Sequence, residues 1–137
     1  MKSEVQISEP NLIPEIYSAI SLVFDRDTNI ISVISELNKY GIYDIKTRRP
    51  RNELTICLDL AVIRNEYFWE LNDALTKMFS KVENSIGEIK NIATKYHGEI
   101  YIDIAFYQRG TFPALVIRGE NMRNICFLEA NISIDPL

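Results

Sequence analysis

Residues 99–107 read EIYIDIAFY. Ile100, Ile102, Ile104 and Phe106 fall on one side of an extended chain; Tyr101, Asp103 and Tyr107 fall on the other. A period of two residues is that of a strand with one covered and one open face. The pattern recurs. In residues 16–25 (IYSAISLVFD), Ile16, Ile20, Leu22 and Phe24 oppose Tyr17, Ser21 and Asp25. In residues 53–62 (ELTICLDLAV), Leu54, Ile56, Leu58 and Leu60 oppose Thr55, Cys57 and Asp59. The closing ANISIDPL sets Ala130, Ile132 and Ile134 against Asn131, Ser133 and Asp135. Parallel strands buried on both faces would be apolar throughout, so clean alternation predicts a mostly antiparallel sheet with one face covered.

Between these segments the apolar period lengthens to that of a helix. Ile30, Val33, Ile34 and Leu37 form one stripe, with Asp27 or Thr28 placed to cap its start and Gly41 to end it. Residues 66–97 carry two more stripes that meet in a bend near Asn84. Ser85 and Glu88 have the S-x-x-E spacing of a capping box, and Gly98 stops the second helix. Residues 119–129 form a last helix through Met122, Ile125 and Cys126. IYDIKT (42–47) reads as a short strand, RRPRN (48–52) as a loop and ALVI (114–117) as a short extended piece. The predicted order is β-α-β-β-αα-β-β-α-β: an α+β domain, ferredoxin-like in its first part, with helices packed on one face of the sheet. Residues 1–15, with Pro10 and Pro14, read as an extended arm and 16–137 as one domain.

The chain has 137 residues, 47% hydrophobic and 25% charged, with a net charge of −4. Those values suit a globular domain with its own core and argue against disorder and unspecific binding to nucleic acid or anionic membrane. Cys57 and Cys126 make no disulfide framework and are expected as buried free thiols. No leader-like segment and no apolar run of membrane-spanning length occur, so a cytoplasmic location is expected.

Chemistry-bearing motifs are sparse. His97 is the only histidine and has no partner at the spacing of a metal site or an acid–base pair. The five glycines form no phosphate-binding loop. No catalytic residue, metal or cofactor is expected. One basic run, KTRRPRN (46–52), reads as a solvated hairpin tip whose Arg48 and Arg49 orient a partner. The open face of the sheet carries the remaining candidates: Tyr17, Asp59, Tyr101, Asp103, Tyr107 and Asp135. Tyrosines there would suit RNA stacking, but the aspartates repel phosphates. Rigid aromatic contact area beside carboxylates fits a protein partner with a basic surface.

The C-terminal third, YIDIAFYQRGTFPALVIRGENMRNICFLEANISIDPL, resembles the end of a family of small bacterial α+β domains of unknown function. Pro113, Leu115, the stretch Met122 to Leu128 and the A-x-I-x-I-D strand of Ala130, Ile132, Ile134 and Asp135 carry the resemblance. Where that family often has a tryptophan opening the third strand, this chain has Asn52, Glu53 and Leu54. The resemblance implies a non-enzymatic domain and transfers no catalytic residue. Small acidic domains of this kind also look like immunity proteins, which bind and block a cognate bacterial toxin. The expected function is therefore occlusion of a toxin domain, of nuclease type with a basic cleft, by a monomer or weak homodimer. The alternative is a small-ligand or regulatory domain that dimerises through its sheet. A metal-dependent hydrolase built on the three aspartates ranks last.

Overall fold

β1 (Glu15–Asp25) is apolar enough along its middle to be buried on both faces, and it takes the centre of the sheet. In the computed structural model, which describes residues 13–48, 54–107 and 111–136, it pairs antiparallel with β3 (Thr55–Ile63) and with β4 (Glu99–Tyr107). β2 (Lys46–Arg48) lies antiparallel outside β3, and β5 (Asn131–Pro136) parallel outside β4, giving the order β2-β3-β1-β4-β5. The helices are α1 (Ile30–Lys39), α2 (Leu71–Ser80), α3 (Ile86–Lys95) and α4 (Gly119–Leu128). Leu37, Leu75, Ile89 and Ile125 from the helices join Ile20, Leu58 and Ile102 in one core. The α+β architecture with a mostly antiparallel sheet is thus as read from the alternation.

The departures are local and have physical causes. ALVI is not a sheet strand: Ala114 only bridges the chain ahead of α2, accepting from Leu71 N and donating to Trp69 O, both at 2.9 Å. With no hairpin strand there, α4 is a crossover between β4 and β5, and a crossover returns the chain parallel. α4 packs on α2 and α3, so Ile132 and Ile134 remain 43% and 40% exposed on the edge strand. IYDIKT shrinks to the three residues of β2, and Arg48 belongs to that strand rather than to a loop. The arm ends earlier than expected, since Glu15 already pairs with Tyr107, while residues 1–12 lie outside the described residues. Leu54 sits in a turn, exposed, and Cys126 is exposed on α4.

Helix ends also differ. Asn29, not Asp27 or Thr28, caps α1 by accepting from Ser32 N at 3.1 Å, and Gly41 beyond its C-terminus takes φ +84°. α2 begins only at Leu71, because residues 66–68 run beside β1 and close bonds between Ile16 N and Glu66 O and between Phe68 N and Pro14 O, each 3.0 Å. Ser85 does not close a capping box. Its hydroxyl donates to Tyr40 O at 2.9 Å and ties the start of α3 to the end of α1.

Two backbone constraints shape the sheet. Ser18 faces Ile63 but Ile20 faces Leu60, so β3 holds one extra residue, a bulge at Ala61, which takes φ +53°. At the other, Gly98 follows His97, and it is His97 that adopts the left-handed turn, at φ +58°. Gly98 is needed for space: a β-carbon there would lie 2.4 Å from the ring of buried Phe24. Gly98→Ala should therefore destabilise the domain by about 1–3 kcal/mol through overpacking. Urea unfolding checks this, and Phe24→Leu in the same chain should restore part of the loss.

Candidate functional site

The site grows from the register of the open face. Antiparallel and parallel pairing set Lys46, Asp59, Ser21, Tyr101 and Asn131 in one row across all five strands. The next row toward the start of β1 holds Ala19, Asp103 and Ser133, the one beyond it Tyr17, Ala105 and Asp135, and the last Tyr67, Glu15 and Tyr107. Outward residues of neighbouring strands stand close enough to interact along and diagonally between such rows.

Arg48 crosses three of these strands. Opposite Cys57 in the ladder, it reaches diagonally to Asp59, with Nε 2.9 Å from Oδ2 and Nη2 3.2 Å from Oδ1. Nη2 also donates to Asp103 Oδ2 at 2.9 Å. Ser21 stands between the two carboxylates, its Oγ 2.6 Å from Asp59 Oδ1 and 2.7 Å from Asp103 Oδ2. A hydroxyl has one hydrogen, so Ser21 donates to one carboxylate at a time while the guanidinium bonds both. Asp59 is only 4% exposed, and such a carboxylate needs these bonds to remain in the protein. Its hydrogen bonds hold Arg48 protonated well above the ordinary range. Burial pushes the neighbouring Cys57 thiol up, which makes it a poor nucleophile.

Beside this clamp the face is hollow. A cavity of about 700 Å³ runs from Thr47, Arg48 and Asp59 to the end of the sheet, lined further by Ala105, Tyr17, Tyr107, Lys46, Arg64, Asn65 and the carboxylate residue Glu15. Burial, with Asp59 adding to it, pushes the Tyr17 phenol up to about 12, so it remains a hydroxyl donor at neutral pH. The Arg64 guanidinium carbon lies over the Tyr17 ring, 6.0 Å from its centre. The bulge explains that contact. Without the extra residue at Ala61, Ile63 would face out and Arg64 would face the core.

Most of the sequence-derived candidates converge here. Arg48, Asp59 and Asp103 form one bonded cluster, and Tyr17 and Tyr107 line the adjoining cavity. Tyr101 shares the face but turns to Glu99, its hydroxyl 3.4 Å from that carboxylate. Asp135 lies opposite Ala105 on the edge strand, a row away from Asp103. Among the described residues no group of three or more His, Cys, Asp or Glu is placed to hold a metal. Arg49 lies outside the described residues. Arg48 overturns the expectation of a wet hairpin tip: its charge is engaged by two carboxylates, so reversing it would unsettle the sheet as well as any association. Sequence reasoning missed Arg64 and Asn65, and it counted Lys46 only as part of the basic run. The three apolar residues after Leu60 hide the bulge, and only the abrupt Arg64-Asn65 after Ile63 signals that the face changes there.

The chain belongs to the family described as Domain of unknown function (DUF4279), whose model matches residues 64–137. No curated protein and no solved structure matches the chain. The matched region contributes Arg64, Asn65, Asp103 and Tyr107 to the site, whereas Tyr17, Ser21, Arg48 and Asp59 precede it. No helix among the described residues is long and apolar enough to cross a membrane.

Two measurements check the electrostatics. In a double-mutant cycle of Arg48→Met and Asp59→Asn, the Met variant alone should lose about 2 kcal/mol, discounted from a fully buried pair because Arg48 is half exposed, and the pair should couple by about 1 kcal/mol. Additive losses would show that the clamp is not a unit. In an alkaline ultraviolet titration, one tyrosine should ionise near 12 and disappear in Tyr17→Phe. Because the folded value exceeds the ordinary value of 10.0, stability drawn from protonated Tyr17 is intact below pH 10 and falls between pH 10 and about 12.

Proposed function

We propose that this protein is a non-catalytic binding domain of immunity type, which docks a cognate toxin domain on the open face of its sheet and occludes it. The observation that carries this reading is the cavity itself, where Tyr17 and Tyr107 stand beside Ala105. Tyrosine anchors in a recess that excludes water are where binding energy concentrates in protein interfaces. The state of the polar groups favours recognition over chemistry. Arg48, Asp59, Asp103 and Ser21 are bonded to one another, Tyr17 is held protonated and the Cys57 thiol is held neutral.

The geometry refines which residues such a partner would meet. Asp59 is buried under Arg48, so its contribution runs through that side chain, and Tyr17, Tyr107 and Arg64 are the groups a partner touches. A second reading rests on the volume of the cavity, which falls in the range of small-molecule sites. In it, the domain takes a small ligand and acts as a regulatory module that pairs with a second copy through the sheet.

Co-expression with the toxin encoded beside its gene tests the first reading. The wild-type chain should copurify with that toxin and restore growth, and Tyr17→Ala with Tyr107→Ala should weaken binding at least about tenfold while circular dichroism stays unchanged. Failure both to copurify and to restore growth sinks the proposal. A dimer in sizing experiments, with a thermal shift by a small metabolite, would support the second reading instead.

A further inference from the structure

We infer that two copies of this chain join edge to edge along β5, as an antiparallel pair centred on Ser133, so that their two sheets become one. The contact uses the sheet edge and leaves the open face free, so it goes beyond both functional readings.

The two edges of the sheet differ. An edge strand offers its backbone groups to a further strand, and proteins protect such edges with shortness and with cations. β2 has both protections: it is three residues long, and Lys46 and Arg48 are two of them. β5 has neither. It runs for six residues, NISIDP, contains no lysine or arginine, and lies outermost in the sheet, paired with β4 among the described residues. Ile132 and Ile134 stand opposite buried Ile102 and Ile104 on the core side, yet they are 43% and 40% exposed. A flat apolar edge of this kind is a site for pairing with another chain.

Register identifies the occupant. A two-fold axis normal to the sheet makes the two strands antiparallel and keeps both helix layers on one side. Residues that face one another must then point to the same side, so the axis passes through a residue. Centred on Ile132, the pair would bring Asp135 toward Glu129 of the second copy, carboxylate against carboxylate. Centred on Ile134, it would draw Pro136 into the ladder opposite Ile132, where proline has no N–H to give. Centred on Ser133, it has neither fault. Ile132 faces Ile134 of the second copy, Asn131 faces its Asp135, and every residue from Asn131 to Asp135 is matched within the strand. Pro136 then falls opposite Ala130, whose N–H already donates to Ile125 O at 3.2 Å, so neither residue has a donor to lose. The stretch N-I-S-I-D is thus complementary to its own reverse, which singles out a second copy as the occupant.

No residue of β5 lines the cavity on the open face. The same axis places both cavities on one side of the joined sheet, so a pair presents two docking recesses in parallel.

Sedimentation of the full chain tests the inference. The wild type should be a dimer at about 100 μM and dissociate on dilution. Ile132→Lys with Ile134→Lys should weaken association at least about tenfold, with circular dichroism unchanged because both side chains are exposed. Cross-linking reads the register even if that variant misfolds. In a Cys126→Ser background, Ser133→Cys should oxidise to a covalent dimer, because directly opposed residues lie within reach of a disulfide. Asn131→Cys should not, since its own copy would lie about 14 Å along the strand. A wild-type chain that stays monomeric at that concentration overturns the inference. So does equal cross-linking of the two cysteine variants, or a dimer that survives both lysines. Toxin neutralisation separates this contact from occlusion. If the double lysine variant is monomeric and still neutralises, edge pairing stands apart from docking as inferred. If it loses neutralisation while the wild type alone is monomeric, β5 pairs with the toxin rather than with a second copy, and the inference is wrong.

Discussion

One guanidinium holds the open face together. Asp59 and Asp103 project from strands on either side of β1, and Ser21 brings both carboxylates within hydrogen-bonding distance of a single oxygen. Two carboxylates that close together repel and need a cation between them, and a buried one needs hydrogen-bond donors. Arg48 meets both needs from β2, a strand of three residues at the edge of the sheet. Such a pair adds little net stability once its desolvation is counted. Its structural effect is placement. Slipping β2 by one residue would turn Arg48 to the opposite face and leave Asp59 buried and unpaired. The register of the shortest strand is thus fixed by the charge of its neighbour, and Lys46 comes to stand opposite Asp59 at the cavity wall as a consequence.

The bulge at Ala61 does for the other end of the cavity what Arg48 does for this one. Up to Leu60, β3 follows strict alternation, with Leu58 and Leu60 in the core and Cys57 and Asp59 beneath the open face. One inserted residue reverses the parity, so Ile63 is fully buried and Arg64 goes outward. Beyond it the chain continues past Asn65 into the segment that pairs with the start of β1, where Tyr67, Glu15 and Tyr107 close the end of the face. Fold and site share this element: the same residue that lets the core keep Ile63 delivers the cation to the cavity.

How far the sequence reveals this depends on whether a feature is periodic. The strands at 16–25 and 99–107, the paired helices within 66–97 and the identity of the open face follow from apolar spacing, and the structure agrees with them. What escapes is aperiodic. In LAVI every residue is apolar, so no pattern distinguishes a straight strand from a bulged one. ALVI has the composition of a strand, yet a single bridge at Ala114 is all it forms, because the sheet edge beside β4 is taken by β5. Cap residues fall in the same class: Asn29 rather than its neighbours caps α1, and Ser85 bonds across to Tyr40, a choice made by tertiary contact.

Charge is the property that composition misrepresents most. A net charge of −4 and three outward aspartates suggest an acidic surface suited to a basic partner. Yet charge acts locally, over a Debye length of about 8 Å in physiological salt, and only where it is not already paired. Arg48 meets both Asp59 and Asp103 at 2.9 Å, so one of their two charges is cancelled before any partner arrives. The tyrosine-walled hollow next to them sets Lys46, Arg48 and Arg64 beside the carboxylates of Glu15 and Asp59. An acidic chain can therefore present a recess of mixed charge, and the partner it selects follows from how those charges are paired rather than from their sum over the chain.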